Sequence, residues 1–153
     1  MPILNWHYPG QAPPATAQAA LASLGPRVQI QANMHPAVQK SLADANLPIP
    51  SPVGGFALID TGATISAIDI AAAAQLGLKS IGRRPILTPA GPGQADQFVF
   101  TIQLLPWGLN LNCVPGLGAN LKEQGIVALI GMDILSQCVL TVNGPGGFFF
   151  LSH

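Results

Sequence analysis

A chain of 153 residues with 49% hydrophobic content can bury the core of one domain and is too short for two. Only 8% of it is charged, against about 25% in ordinary soluble domains, and six basic residues balance six acidic ones without forming a run. That excludes the electrostatic footprint of a nucleic-acid or anionic-membrane binder, and a surface so poor in charge favours self-association.

With 17 Gly and 15 Pro, the composition favours short strands joined by tight turns, an all-β class. Residues 1–26 place five prolines around the Ala-rich run Ala15 to Ala22 and read as an irregular N-terminal arm. Val28-Gln29-Ile30-Gln31 alternates as a strand, and Pro36 to Asn46 is a helical candidate opened by proline and closed before Pro48-Ile49-Pro50-Ser51-Pro52. The apolar strand Gly55-Phe56-Ala57-Leu58-Ile59 runs into the polar tip Asp60-Thr61-Gly62-Ala63, with a second strand expected at Thr64 to Ile68.

Asp69 is placed to cap a helix over Ile70 to Leu76, which Gly77 ends. Ile86-Leu87-Thr88 and Phe98 to Leu104 flank Pro89-Ala90-Gly91-Pro92-Gly93 as a hairpin, with Phe98, Phe100, Ile102 and Leu104 on one face. Leu109 to Val114 alternates again. A second apolar run, Ile126 to Ile130, ends in Gly131-Met132-Asp133, where Asp133 is expected to cap a helix through Ile134 to Gln137. Val139 to Val142 and Gly147 to Leu151 close the chain as strands. The pattern of apolar strand, glycine-containing polar turn and short helix therefore occurs twice, at residues 56–76 and 126–137.

Cys113 and Cys138 read as buried thiols, and His7, His35 and His153 stand apart from any metal-ligand spacing, so neither a metal nor another cofactor is expected. No stretch reaches the roughly 18 apolar residues of a membrane span. The N-terminus also lacks a basic n-region, which makes the cytoplasm the expected location.

Phe56-Ala57-Leu58-Ile59-Asp60-Thr61-Gly62-Ala63 resembles the signature of aspartic peptidases. Ala128-Leu129-Ile130-Gly131-Met132-Asp133-Ile134-Leu135 resembles the second signature of the retroviral-type branch, and the likeness, nearest to bacterial single-domain members, spans residues 27–153. It implies a closed β-barrel half-lobe with one or two short helices and a flap hairpin. It further implies a homodimer in which Asp60 of each subunit shares the hydrolysis of an extended, largely apolar peptide.

In that scheme Asp60, Thr61 and Gly62 form the catalytic triplet, with the Thr61 hydroxyl bonding across to the partner subunit. Substrate is expected against Ala63, the flap tip at Ala90, Gly91 and Gly93, and Ile130. Ala63 offers no hydroxyl where pepsin-like enzymes usually place Ser or Thr, which implies a less acidic working range. Met132 stands where retroviral enzymes generally carry Arg, so that residue's ion pairs near the dimer edge cannot form. The C-terminal Gly147-Phe148-Phe149-Phe150-Leu151 is the candidate for additional dimer contact. A different class, a non-catalytic peptide-binding or dimerisation module on the same fold, is separated from an enzyme by peptide cleavage with and without Asp60→Asn.

Overall fold

Alternation of apolar side chains is what builds the centre of this molecule. A computed structural model describes residues 3–7, 15–88 and 91–152. In it Phe98, Phe100, Ile102 and Leu104 all point inward along one long strand, against Val28, Ile30, Ile59, Ile68 and Ile130. The chain runs β1 (Ile3–His7), α1 (Ala15–Leu24), β2 (Arg27–Met34), α2 (Pro36–Asp44), β3 (Val53–Ile59), β4 (Ala67–Asp69), α3 (Ile70–Gln75), β5 (Gly82–Thr88) and β6 (Gly91–Leu104). It continues through β7 (Leu109–Ala119), a 3-10 turn (Lys122–Gln124), β8 (Ala128–Ile130), α4 (Met132–Leu135), β9 (Val139–Asn143) and β10 (Phe148–Ser152). The class is all-β, with four short α-helices among the described residues where one or two were expected.

The larger sheet has the order β2-β3-β8-β4-β7-β6-β5. Its ladder also returns on itself, because β2 pairs with β3 along one edge and with β6 along the other, both antiparallel. β3 and β8 lie parallel in register, Ala57 opposite Ala128 and Ile59 opposite Ile130. The two apolar runs that the sequence repeats are therefore neighbours, and the polar turns that follow them emerge side by side. No described helix is long and apolar enough to cross a membrane.

Four expectations change. The first 26 residues are not irregular throughout: β1 pairs with β10, burying Leu4 and stacking Trp6 on Phe149 at 5.4 Å, and α1 follows. The prolines that suggested irregularity at 9, 13 and 14 lie between these two elements. Thr64 to Ser66 is a loop and not a strand: the Thr64 carbonyl and the Ser66 amide are bonded to Asp133, the ladder to β7 begins only at the Ser66 carbonyl, which accepts from the Leu117 amide, and only Ala67–Asp69 is extended. Helix α4 starts at Met132 with Gly131 at its cap, so Asp133 sits inside the first turn and caps nothing.

The fourth change concerns the C-terminal aromatics. β10 is the central strand of a three-stranded sheet, order β1-β10-β9, with both edges occupied, and Phe149 and Leu151 are completely buried in the chain's own core. Asp69, by contrast, does as expected. Its Oδ1 accepts from the Ala71 and Ala72 amides at 2.9 and 3.3 Å and caps α3. Its Oδ2 also accepts from the Leu121 and Lys122 amides at 2.9 and 3.0 Å, so this buried carboxylate ties the helix to the chain after β7.

Candidate functional site

Strand β3 buries Ala57 and Ile59 and delivers the chain to the sheet's end at Asp60. The Asp60 amide donates to the Ile130 carbonyl at 3.0 Å, extending the parallel ladder by one bond. The chain then turns. The Ala63 amide donates to the Asp60 carbonyl at 3.2 Å, and the Gly62 amide donates to Asp60 Oδ1 at 2.8 Å. A Cβ at position 62 would stand 3.2 Å from that same oxygen, so glycine is what lets the amide come this close. Asp60 is half-buried, with one oxygen fixed by its own loop; Thr61 is exposed.

The loop is held from behind by the second turn. The Met132 amide donates to the Ala63 carbonyl at 2.8 Å and the Asp133 amide to the Thr64 carbonyl at 3.1 Å. The Gly131 amide donates to Ser66 Oγ at 3.0 Å. Ser66, fully buried, donates both its amide and its hydroxyl to Asp133 Oδ1, at 2.9 and 2.7 Å. Gly131 has no room for a side chain, because a Cβ there would meet the Ile65 carbonyl carbon at 2.8 Å and the Ala63 oxygen at 2.9 Å. The glycine of the second signature is thus a close-approach position that lets the two turns lock together.

Cys113 lies below this network. Burial, and then the negative charge of Asp133, push its thiol up to about 12, while a hydrogen bond with Ser66 acts the other way. A thiol of that kind is an inert core group.

A cleft of about 400 Å³ opens beside the Asp60 loop. Gly62 to Ile65 form one wall, Arg84 to Leu87 of β5 with Ala95 of β6 another, and Leu117 to Ala119 with Leu129 the base. Its lining is apolar apart from a threonine and one arginine. Of the expected contacts, Gly62 and Ala63 border this cleft next to Asp60. Ile130 does not: its side chain is fully buried, and its carbonyl serves the Asp60 amide. Side chains alternate along a strand, so it is Leu129 that faces the cleft.

Gly91 and Gly93 lie in β6 opposite Thr88 and Ile86 of the hairpin, and of these only Ile86 reaches the cleft. Gly91 has φ +113°, a conformation that favours glycine. Ala90 falls outside the described residues. Arg84, Ser66 and Asp133 were not among the expected site residues. The local pattern at Asp133 suggests only a helix cap, and nothing in the local sequence distinguishes Arg84 from Arg83.

No protein-family model matches the chain, and no curated protein does. Among solved structures, it is similar to a retropepsin-like aspartic protease from Rickettsia conorii, with 19% identity, a TM-score of 0.47, and coverage of 81% of this chain and 88% of that one. A second is the retroviral protease-like domain of Ddi1 from Leishmania major, at 15% identity, a TM-score of 0.41, and coverage of 77% and 82% respectively.

Proposed function

We propose that the chain is an aspartic endopeptidase, active as a symmetric dimer in which Asp60 of each subunit faces its counterpart. The observation that carries this reading is the placement of Asp60. Four of the chain's six acidic residues are held by other parts of the fold: Asp44 by Lys40, Asp69 by backbone amides, Asp96 by Arg83 and Ser80, and Asp133 by Ser66. The Asp60 carboxylate instead sits on a glycine turn whose Gly62 and Ala63 border an apolar cleft, and among the described residues it accepts only from its own loop.

One carboxylate cannot both take a proton from water and give one to the scissile carbonyl. Two at close range can, because like charges resist joint ionisation and the pair retains one proton. The charged member removes a proton from water as its oxygen attacks the carbonyl carbon, and the protonated member donates to the carbonyl oxygen. Collapse of the tetrahedral intermediate then breaks the C–N bond, with a proton delivered to the leaving amine. The sequence holds one Asp-Thr-Gly, so a second copy supplies the partner across a twofold axis. In that arrangement Thr61, exposed beside Asp60, faces the other subunit, and the β5–β6 hairpin covers an extended peptide.

A peptide library incubated with wild type and with Asp60→Asn tests the proposal. Cleavage by wild type alone, insensitive to metal chelators and blocked by statin-type transition-state mimics, is the expected result. Peptide binding without cleavage by folded wild-type dimer would assign the site to recognition only.

A further inference from the structure

We infer that Arg84 makes the cleft selective for peptides that carry one acidic side chain within an otherwise apolar segment. This rests on the peptidase reading of the same site and narrows its substrate class. The argument begins with the register of the hairpin. Arg84 stands opposite Ala95 and Ile86 opposite Gly93, so these positions share one face; Arg83 opposite Asp96 lies on the other. The outer face has its charges matched, since Arg83 Nε donates to Asp96 Oδ1 at 3.2 Å and Ser80 Oγ donates to the same oxygen at 3.1 Å.

The cleft face has no such match. Arg84 has only the methyl group of Ala95 across from it, no residue lining the cleft carries a carboxylate, and no ion pair is made by Arg84 among the described residues. A guanidinium is a planar fork of donors suited to a carboxylate. Here it is exposed at the rim of walls that include Ile86, Leu117 and Leu129, so a carboxylate can reach it from solvent and the pair is open to screening by salt. An extended peptide turns alternate side chains to the same wall about 7 Å apart. One Glu or Asp can therefore reach Arg84 while its neighbours two residues away lie on apolar surface.

The test walks a single Glu through a labelled apolar host peptide, with a Gln twin at every position. Binding is read on the Asp60→Asn protein, and kcat/KM on wild type. At one position the Glu peptide should bind about three- to tenfold better than its twin. The preference should shrink with added salt, vanish in Arg84→Gln and persist in Arg83→Gln.

Equal binding of Glu and Gln twins at every position, no binding of either, or a Glu preference that survives Arg84→Gln would overturn the inference. So would an Arg84→Gln protein that sediments as monomer where wild type is dimeric, since the guanidinium would then serve the subunit contact. A Glu preference in binding without turnover by wild type would count against the peptidase reading and leave the role of Arg84 standing.

Discussion

Ser66 and Asp133 stand 67 residues apart in the chain, yet Ser66 gives both its amide and its hydroxyl to one oxygen of the Asp133 carboxylate, at 2.9 and 2.7 Å. Because the same hydroxyl accepts from the Gly131 amide, the pair fastens the loop that carries Asp60 to the turn after β8. Ser66→Ala leaves the buried Gly131 amide without its acceptor and should cost about 1–3 kcal/mol. Turnover should fall more than stability implies, by roughly tenfold or more, because small displacements of a reacting group are expensive. Asp133→Asn keeps an oxygen acceptor and should retain most activity, whereas Asp133→Ala should resemble Ser66→Ala. Thermal melts and kcat measured on all three variants check this.

Asp69 offers a comparison outside the lining of the cleft. It is a buried carboxylate that accepts four backbone amides, so Asp69→Ala strands donors at both the start of α3 and the chain after β7. The expected loss is roughly 3–5 kcal/mol. For a chain of this size that lowers Tm by about 10 °C. Asp69→Asn, with one acceptor oxygen in place of two, should fall between. A melt unchanged by Asp69→Ala would contradict the tie.

Much of this architecture is legible in the sequence. The strands read at Val28 to Gln31 and Phe98 to Leu104, which the structure places within Arg27–Met34 and Gly91–Leu104, the α3 cap at Asp69 and the stop at Gly77 follow from alternation and capping chemistry, which are local. The Asp60 turn is legible too, because an apolar strand into Asp-Thr-Gly is a short-range pattern. What stays hidden is non-local. Nothing near Asp133 indicates that its carboxylate serves Ser66 instead of capping a helix. Nothing near Phe149 says whether a partner subunit or the chain's own β1 covers it. Ile130 and Leu129 differ only in which face of β8 they occupy, and that parity is fixed by pairing with β3 and β4.

The C-terminal strand supplies a third prediction. Phe149 and Leu151 fill the core, and β10 bridges β1 and β9, so removing residues 147–153 should unfold the sheet instead of merely separating subunits. Phe149→Ala should cost about 3–5 kcal/mol. Phe150→Ser, on the half-buried opposite face, should cost much less. Circular dichroism melts of the two variants distinguish these outcomes; equal, small losses would contradict the packing.

The thiols should differ in reactivity. Cys113, with its thiol pushed up to about 12 mainly by burial, should resist alkylation in the folded protein, while the less buried Cys138 reacts. The raised value also sets a sign for stability against pH. Below pH 9, the thiol's ordinary value, folded and unfolded chains both hold the proton and Cys113 contributes its full share. Between 9 and about 12 the unfolded chain releases the proton first, so this contribution is lost as pH rises. Cys113→Ala should flatten that alkaline decline in urea midpoints measured across the range.

The pairing of two Asp60 carboxylates can be tested by mixing subunits. Wild type and Asp60→Asn, combined in equal amounts and allowed to exchange at fixed total concentration, should retain about a quarter of the cleavage rate of undiluted wild type, because only dimers with two intact carboxylates turn over. The rate should follow the square of the wild-type fraction across the series. A rate that falls in simple proportion to the wild-type fraction, reaching one half in the equal mixture, would mean that each subunit works alone and would contradict the account.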